Sequence, residues 1–122
     1  MKSCIVVIPV YKADPKVVEL ASFKQCVKIL KKYDLCLLTY EELDLAAYMK
    51  IAKEYSQKIH VEYFDRCFFT SIAGYNELCC NINFYLAFHN YDYMLIYQLD
   101  AWVFSDELQM WCEKGYDYIG SP

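Results

Sequence analysis

The sequence is short of the residues on which several common sites are built. Its three glycines fall in no GxGxxG or GxxxxGK[ST] arrangement, which excludes a dinucleotide-binding turn and a P-loop. No serine stands in a GxSxG elbow, and neither His60 nor His89 is placed to serve a nucleophile. Arg66 is the sole arginine. No apolar run reaches the roughly 18 residues that a membrane span requires. The start, "MKSCIVVIPVYKADP", has a short apolar segment without a signal-cleavage pattern. A chain that is not transmembrane and is cytoplasmic is the expectation.

Net charge argues in the same direction. At −4, with twelve basic residues scattered along the chain, there is no electrostatic footprint for nucleic acid. The seven cysteines, Cys4, Cys26, Cys36, Cys67, Cys79, Cys80 and Cys112, are odd in number, lack a CxxC pair and lie in apolar segments. They read as reduced core residues. A zinc site from Cys79, Cys80 and His89 would need adjacent cysteines to span a tetrahedron, an unusual spacing.

What is abundant is apolar and aromatic surface: 57% hydrophobic residues and 18% aromatic in 122 residues, enough for the core of one domain spanning 1–122. "CIVVIPVY" (Cys4 to Tyr11) has the β-branched run of a strand buried on both faces. Next, Asp14 as cap, Pro15 in the first helical position and a stripe of Leu20, Phe23, Val27 and Leu30 predict a helix. "LCLLTY" (Leu35 to Tyr40) predicts a second strand, followed by a helix with Leu45, Tyr48, Ala52 and Tyr55 inward. "IHVEYF" (Ile59 to Phe64) predicts a third strand, and "SIAGYNELCCNINFYLAFHN" one helix buried through Leu78, Ile82 and Tyr85. "YDYMLIYQLD" is the fourth strand; a short strand "WVF", a helix "DELQMWCEKG" and a strand-like "YDYIG" follow.

Strand and helix alternating four times imply a three-layer α/β/α sandwich with a mainly parallel sheet. Ligands of such sheets bind beyond the carboxyl ends of the strands. Those ends are Pro9 to Lys12, Thr39 to Leu43, Phe64 to Arg66 and Leu99 to Trp102. Asp100 is therefore a lone carboxylate on the ligand edge, between two apolar runs. Three roles fit it: a structural acceptor of backbone N–H groups, a ligand of Mg²⁺ or Mn²⁺ shared with substrate phosphates, or a phosphoryl-accepting nucleophile. The last fits worst, since "DAWV" follows the fourth strand and has Trp102 where the haloacid dehalogenase pattern has a second acid. An anionic ligand would draw on Lys12, Arg66, backbone N–H groups or a metal.

Three ordered blocks, "IVVIPVYK", "GYNEL" and "YQLDAWVFSDELQMW", together with "YDYIG" near Pro122, resemble the nucleotide-sugar half of A-type glycosyltransferases. More closely they resemble a bacterial family of unknown function with a glycosyltransferase-like, Rossmann-like fold. The resemblance implies a nucleoside diphosphate sugar as donor and a glycan or other acceptor. It implies that Pro9, Val10 and Tyr11 touch the nucleobase or ribose, with Tyr11 stacking, and that Asn76 faces the nucleotide beside Tyr75. Asp100 matches the first acid of the DxD motif, flanked by Gln98, Ala101 and Trp102, and would hold Mn²⁺ or Mg²⁺ against the diphosphate. Trp102 replaces the second acid. Asp106, in "DELQ", reads better as a capping box than as a ligand. Such enzymes carry a further acceptor-binding half, so a C-terminally truncated, inactive portion is one expectation. A non-catalytic module that self-associates through its aromatic surface is the alternative.

Overall fold

The computed structural model describes residues 3–120. Strand β1 (Cys4–Pro9) is followed by helix α1 (Val17–Ile29), β2 (Asp34–Thr39), α2 (Ala46–Glu54) and β3 (Ile59–Tyr63). A 3₁₀ turn (Arg66–Phe69), α3 (Ile72–Cys79), α4 (Ile82–Leu86), β4 (Tyr93–Ile96) and α5 (Leu108–Glu113) complete the order. The described strands form one parallel sheet in the order β3-β2-β1-β4. The expected three-layer α/β architecture is therefore present.

Alternation along β1 and β2 builds the two cores. Val6, Ile8, Leu35 and Leu37 face Phe23, Cys26, Val27 and Tyr48 of α1 and α2. Ile5, Val7, Cys36 and Leu38 face Phe69, Leu78, Phe84 and Phe88 on the other side. Val6, Val7 and Ile8 have no exposed surface, which makes β1 the hub of the sheet. Burial of side chains of this size contributes roughly 1.5–3 kcal/mol each.

Four local expectations need correction. Lys16, not Asp14, precedes the first turn of α1, and Glu19 accepts its N–H at 3.0 Å; Pro15 lies before the helix. The single helix expected across Ser71 to Asn90 is two. Asn81 interrupts it, its side chain accepting the Asn83 N–H at 2.8 Å and starting α4 in a new phase. Phe84 and Phe88 are buried in consequence, while Ile82 is 69% exposed and Tyr85 is also on the outside. Residues 102–104 and 116–120 form no strand. Finally, Cys67 and Cys80 are exposed, although Cys4, Cys26, Cys36 and Cys112 are core thiols; all seven are unpaired as disulfides.

The fourth strand is also shorter than its apolar run, and Pro9 explains where it stops. Tyr97 N–H donates to the Val7 carbonyl at 2.8 Å. The next bond of a parallel ladder would run from the residue 9 N–H back to Tyr97, and proline has no N–H to give. The chain leaves the sheet there and turns, Ala101 N–H donating to the Gln98 carbonyl at 3.0 Å. Asp100 rides on that turn.

Past the turn, the segment runs along α1 and takes its hydrogen bonds from side chains instead of a strand. Ser22 Oγ donates to the Ala101 carbonyl at 2.5 Å, and Gln25 Nε2 to the Val103 carbonyl at 3.0 Å. Asp106 then accepts the Tyr33 hydroxyl at 2.7 Å and pairs with Lys32 at 3.3 Å. It also accepts the Leu108 N–H, so it supports the start of α5, but Glu107 is the residue flanking that helix and no capping box forms. Burial disfavours its charge, yet these bonds outweigh burial and hold its carboxyl below the usual aspartate range.

Candidate functional site

The strand order reverses between β1 and β4, since β2 and β3 lie on one side of β1 and β4 on the other. A crevice at such a point, beyond the carboxyl ends of the strands, is where open α/β sheets take ligands. A cavity of about 670 Å³ lies there. That volume falls within the range of small-molecule and cofactor sites.

Three pieces of chain wall it. From β1 come Pro9, Val10, Tyr11 and Lys12; from the turn after β4, Gln98, Leu99 and Asp100; from the 3₁₀ turn and α3, Phe68 to Ile72 with Tyr75 and Asn76. Glu19 of α1 and Tyr48 of α2 close the side. Eight residues expected at the site from sequence thus line one cavity: Pro9, Val10, Tyr11, Lys12, Tyr75, Asn76, Gln98 and Asp100.

Arg66, Ala101 and Trp102 are not brought to that wall. The Arg66 guanidinium lies over the Tyr40 ring, 5.4 Å from its centroid, at the start of the 3₁₀ turn. Ala101 is drawn toward α1 by its bond from Ser22, and Trp102 follows it out to a half-exposed position. Asp117 is exposed and also apart from the cavity. Serine and proline at 121 and 122, the end of the "YDYIG" block, lie outside the described residues.

Packing decides how the lining side chains are offered. Tyr11 is 53% exposed, so its ring is open to a stacking partner instead of serving the core. Tyr48 is buried edge-on against Phe23, with ring centroids 5.4 Å apart, and its hydroxyl donates to the Lys12 carbonyl at 2.8 Å. Burial pushes that phenol up to about 12. Gln98 Nε2 donates to the Tyr75 hydroxyl at 3.2 Å, joining the β4 turn to α3 across the cavity. Tyr75 is likewise pushed up to about 12 by burial and stays neutral at physiological pH. Asn76 lies within α3, whose start is capped by Ser71 accepting the Gly74 N–H at 3.0 Å.

Gly74 explains why "GYNEL" needs its glycine. A Cβ there would stand 2.4 Å from the Cys67 carbonyl oxygen. Only glycine lets α3 lie this close to the 3₁₀ turn that supplies Phe68 and Phe69 to the cavity.

The charged groups are few. Lys12 Nζ lies 3.2 Å from Glu19 Oε1 and 5.3 Å from the Tyr11 ring centroid. The bond to Glu19 raises the Lys12 ammonium above the ordinary lysine value. The Lys16 N–H, followed by Lys12, holds Glu19 below the ordinary glutamate value despite some burial. Asp100 is exposed on its turn. No group of three or more His, Cys, Asp or Glu among the described residues could together hold a metal ion, which removes the Cys79, Cys80 and His89 arrangement. The His89 ring instead has Nδ1 2.8 Å from the Leu86 carbonyl at the end of α4. Asp100 alone would supply one carboxylate, a donor set that suits Mg²⁺ or Mn²⁺ only when phosphate oxygens and water complete the shell.

Residues 58–122 match the family model described as a protein of unknown function, DUF5672. The chain belongs to the DUF5672 family. The match runs from the start of β3 through the 3₁₀ turn, α3, α4, β4 and α5, so in this DUF5672 protein it contains the wall carrying Tyr75, Asn76, Gln98 and Asp100. Pro9 to Lys12, Glu19 and Tyr48 come from outside it. No curated protein and no solved structure matches the chain. No helix among the described residues of this DUF5672 chain is long and apolar enough to cross a membrane.

Glu19, Tyr48, Phe68 and Phe69 were not legible as site residues. Glu19 reads as an ordinary helix-surface charge, and Tyr48 as core. The two phenylalanines sit in a turn too short to show a period. The proline that ends the β1 ladder was the available signal that the chain opens at this edge.

Proposed function

We propose that the cavity binds a nucleoside diphosphate sugar and that the protein is the nucleotide-sugar-binding portion of a glycosyltransferase. The observation that carries this reading is the position of Asp100. It is a carboxylate on the turn beyond β4, at the point where strand order reverses, lining a cavity that the half-exposed Tyr11 also lines. Tyr11 provides a face for the base, Asn76 and Gln98 provide polar atoms for the ribose or sugar, and Lys12 approaches from the β1 loop.

In sugar transfer the bond from the anomeric carbon to the diphosphate breaks, its electron pair leaves on the diphosphate, and the acceptor hydroxyl oxygen forms the new bond while its proton passes to a base or to solvent. Mn²⁺ or Mg²⁺, when bound, offsets the charge gathering on the leaving diphosphate. Asp100 would hold it jointly with the diphosphate oxygens. The Tyr97 and Ser22 bonds hold the turn that carries Asp100, and the Gln98–Tyr75 bond ties that turn to α3. The neutral Tyr48 phenol secures the Lys12 backbone without adding charge. The test is a melting-temperature series with UDP- and GDP-linked sugars and Mn²⁺. A metal-dependent rise supports the reading, and no rise with any of them contradicts it.

The exposed aromatics favour a second reading, a module that pairs with another copy. Phe104 is 84% exposed and Tyr118 82%, with Trp102, Trp111 and Tyr116 about half exposed in the same terminal segment. Sedimentation at high protein concentration separates the two, since a clean monomer contradicts self-association.

A further inference from the structure

Two ion pairs are present among the described residues, Lys32–Asp106 behind α1 and Lys12–Glu19 in the cavity wall. The second is held from several sides. Glu19 Oε1 accepts both the Lys12 ammonium at 3.2 Å and the Lys16 N–H at 3.0 Å, while Tyr48 anchors the Lys12 carbonyl at 2.8 Å. The side chains of the pair are 36% and 18% exposed, Lys12 and Glu19 respectively, so the carboxylate is the more enclosed partner.

The charge of the cavity follows from its lining. Lys12 is the one cation and Glu19 and Asp100 are the two carboxylates, a net charge of −1. With Lys12 engaged by Glu19, a bare phosphate-type anion meets no free positive side chain there and faces the Asp100 carboxylate. The same anion accompanied by a divalent cation brings its own compensation and gives Asp100 something to bind.

We propose that Glu19 is a specificity-determining residue, which keeps Lys12 neutralised so that the cavity refuses bare phosphate anions and admits them only in company with a divalent cation. This deepens the nucleotide-sugar reading and rests on it for the identity of the ligand. A purely structural Glu19 would need only to accept the Lys16 N–H, and glutamine accepts that bond equally well. The bond to the ammonium is the one that uses its charge.

Glu19→Gln therefore separates the two roles. Inorganic pyrophosphate, titrated calorimetrically at low ionic strength with EDTA present, is expected to bind Glu19→Gln about three- to fivefold more tightly than the parent chain, the range of a partly exposed ion pair. The gain should vanish in Lys12→Met/Glu19→Gln. Equal affinity of Glu19→Gln and parent, or an equal gain in the double variant, overturns the proposal. The double variant also gives an independent check, because its cavity keeps the parent's net charge of −1. It should bind metal-free pyrophosphate within twofold of the parent, and a fivefold loss would show that Lys12 was free for the anion all along. UDP and GDP with Mn²⁺, run on the parent chain in the same series, test the underlying reading separately. If neither binds while Glu19→Gln still gains pyrophosphate affinity, the nucleotide reading fails and the charge selection stands.

Discussion

Ser22 Oγ lies 2.9 Å from Tyr97 Oη, joining the middle of α1 to the end of β4 across 75 residues of sequence. Ser22 also donates to the Ala101 carbonyl at 2.5 Å, and the Tyr97 hydroxyl reaches the same carbonyl at 3.2 Å. The two residues clamp the turn that carries Asp100. Position of the carboxylate thus depends on a buried serine in a helix far away in sequence.

Tyr97→Phe removes the clamp's phenolic hydroxyl while keeping the ring. Loss of one buried hydrogen bond costs about 1 kcal/mol. The expected outcome is a lower urea midpoint with an unchanged m-value. Any metal-dependent nucleotide binding should weaken at the same time, because the Asp100 turn loosens.

Gly74→Ala tests the close approach of α3 to the 3₁₀ turn. With the Cys67 carbonyl oxygen 2.4 Å from the new methyl, backbone must shift. A destabilisation of about 1–3 kcal/mol is expected, measured by chemical denaturation. Elsewhere in a helix the same exchange would stabilise.

Ser56→Gly should act in the opposite direction. Ser56 has φ +53° just after α2, with Gln57 N–H donating to Ala52 and Ser56 N–H to Lys53, the pattern of a left-handed helix end. An L-residue is strained there and glycine is not. A gain of about 0.5–1 kcal/mol and a melting temperature a few degrees higher are expected.

Period and packing together explain what could and could not be read from sequence. The four strands and the alternation that orders them were visible, because buried β-branched runs and helical stripes carry distinct periods. The break at Asn81 was hidden since apolar residues continue on both sides of it, and a polar side chain bonding to a local N–H overrides the period. The segment after Asp100 looked like a strand from its "WVF", but its carbonyls go to Ser22 and Gln25 of α1, partners that sequence spacing does not reveal. Within the site, residues adjacent in sequence to Asp100 were grouped with it, whereas the turn sends Gln98 and Ala101 to different neighbours.

Alkaline pH should unfold the protein early. Burial pushes Cys26 and Cys36 up to about 12 from an ordinary 9.0, and Tyr48 up to about 12 from 10.0. Below pH 9 these groups are protonated in both states and contribute no pH dependence. Above it the unfolded chain releases their protons while the folded chain retains them, so stability falls as pH rises from about 9 toward 12. Urea midpoints at pH 7, 9 and 10.5 should decline over the last interval more than the first.

Asp100→Asn is the variant on which the functional account turns, because it keeps size and turn geometry and removes the charge. Titration of UDP and GDP sugars in the presence and absence of Mn²⁺, on the parent chain and on Asp100→Asn, is the direct measurement. The account predicts Mn²⁺-dependent binding by the parent that falls at least tenfold in Asp100→Asn, with the melting temperature of the free protein unchanged. Equal binding by both proteins, or binding indifferent to Mn²⁺, would contradict it.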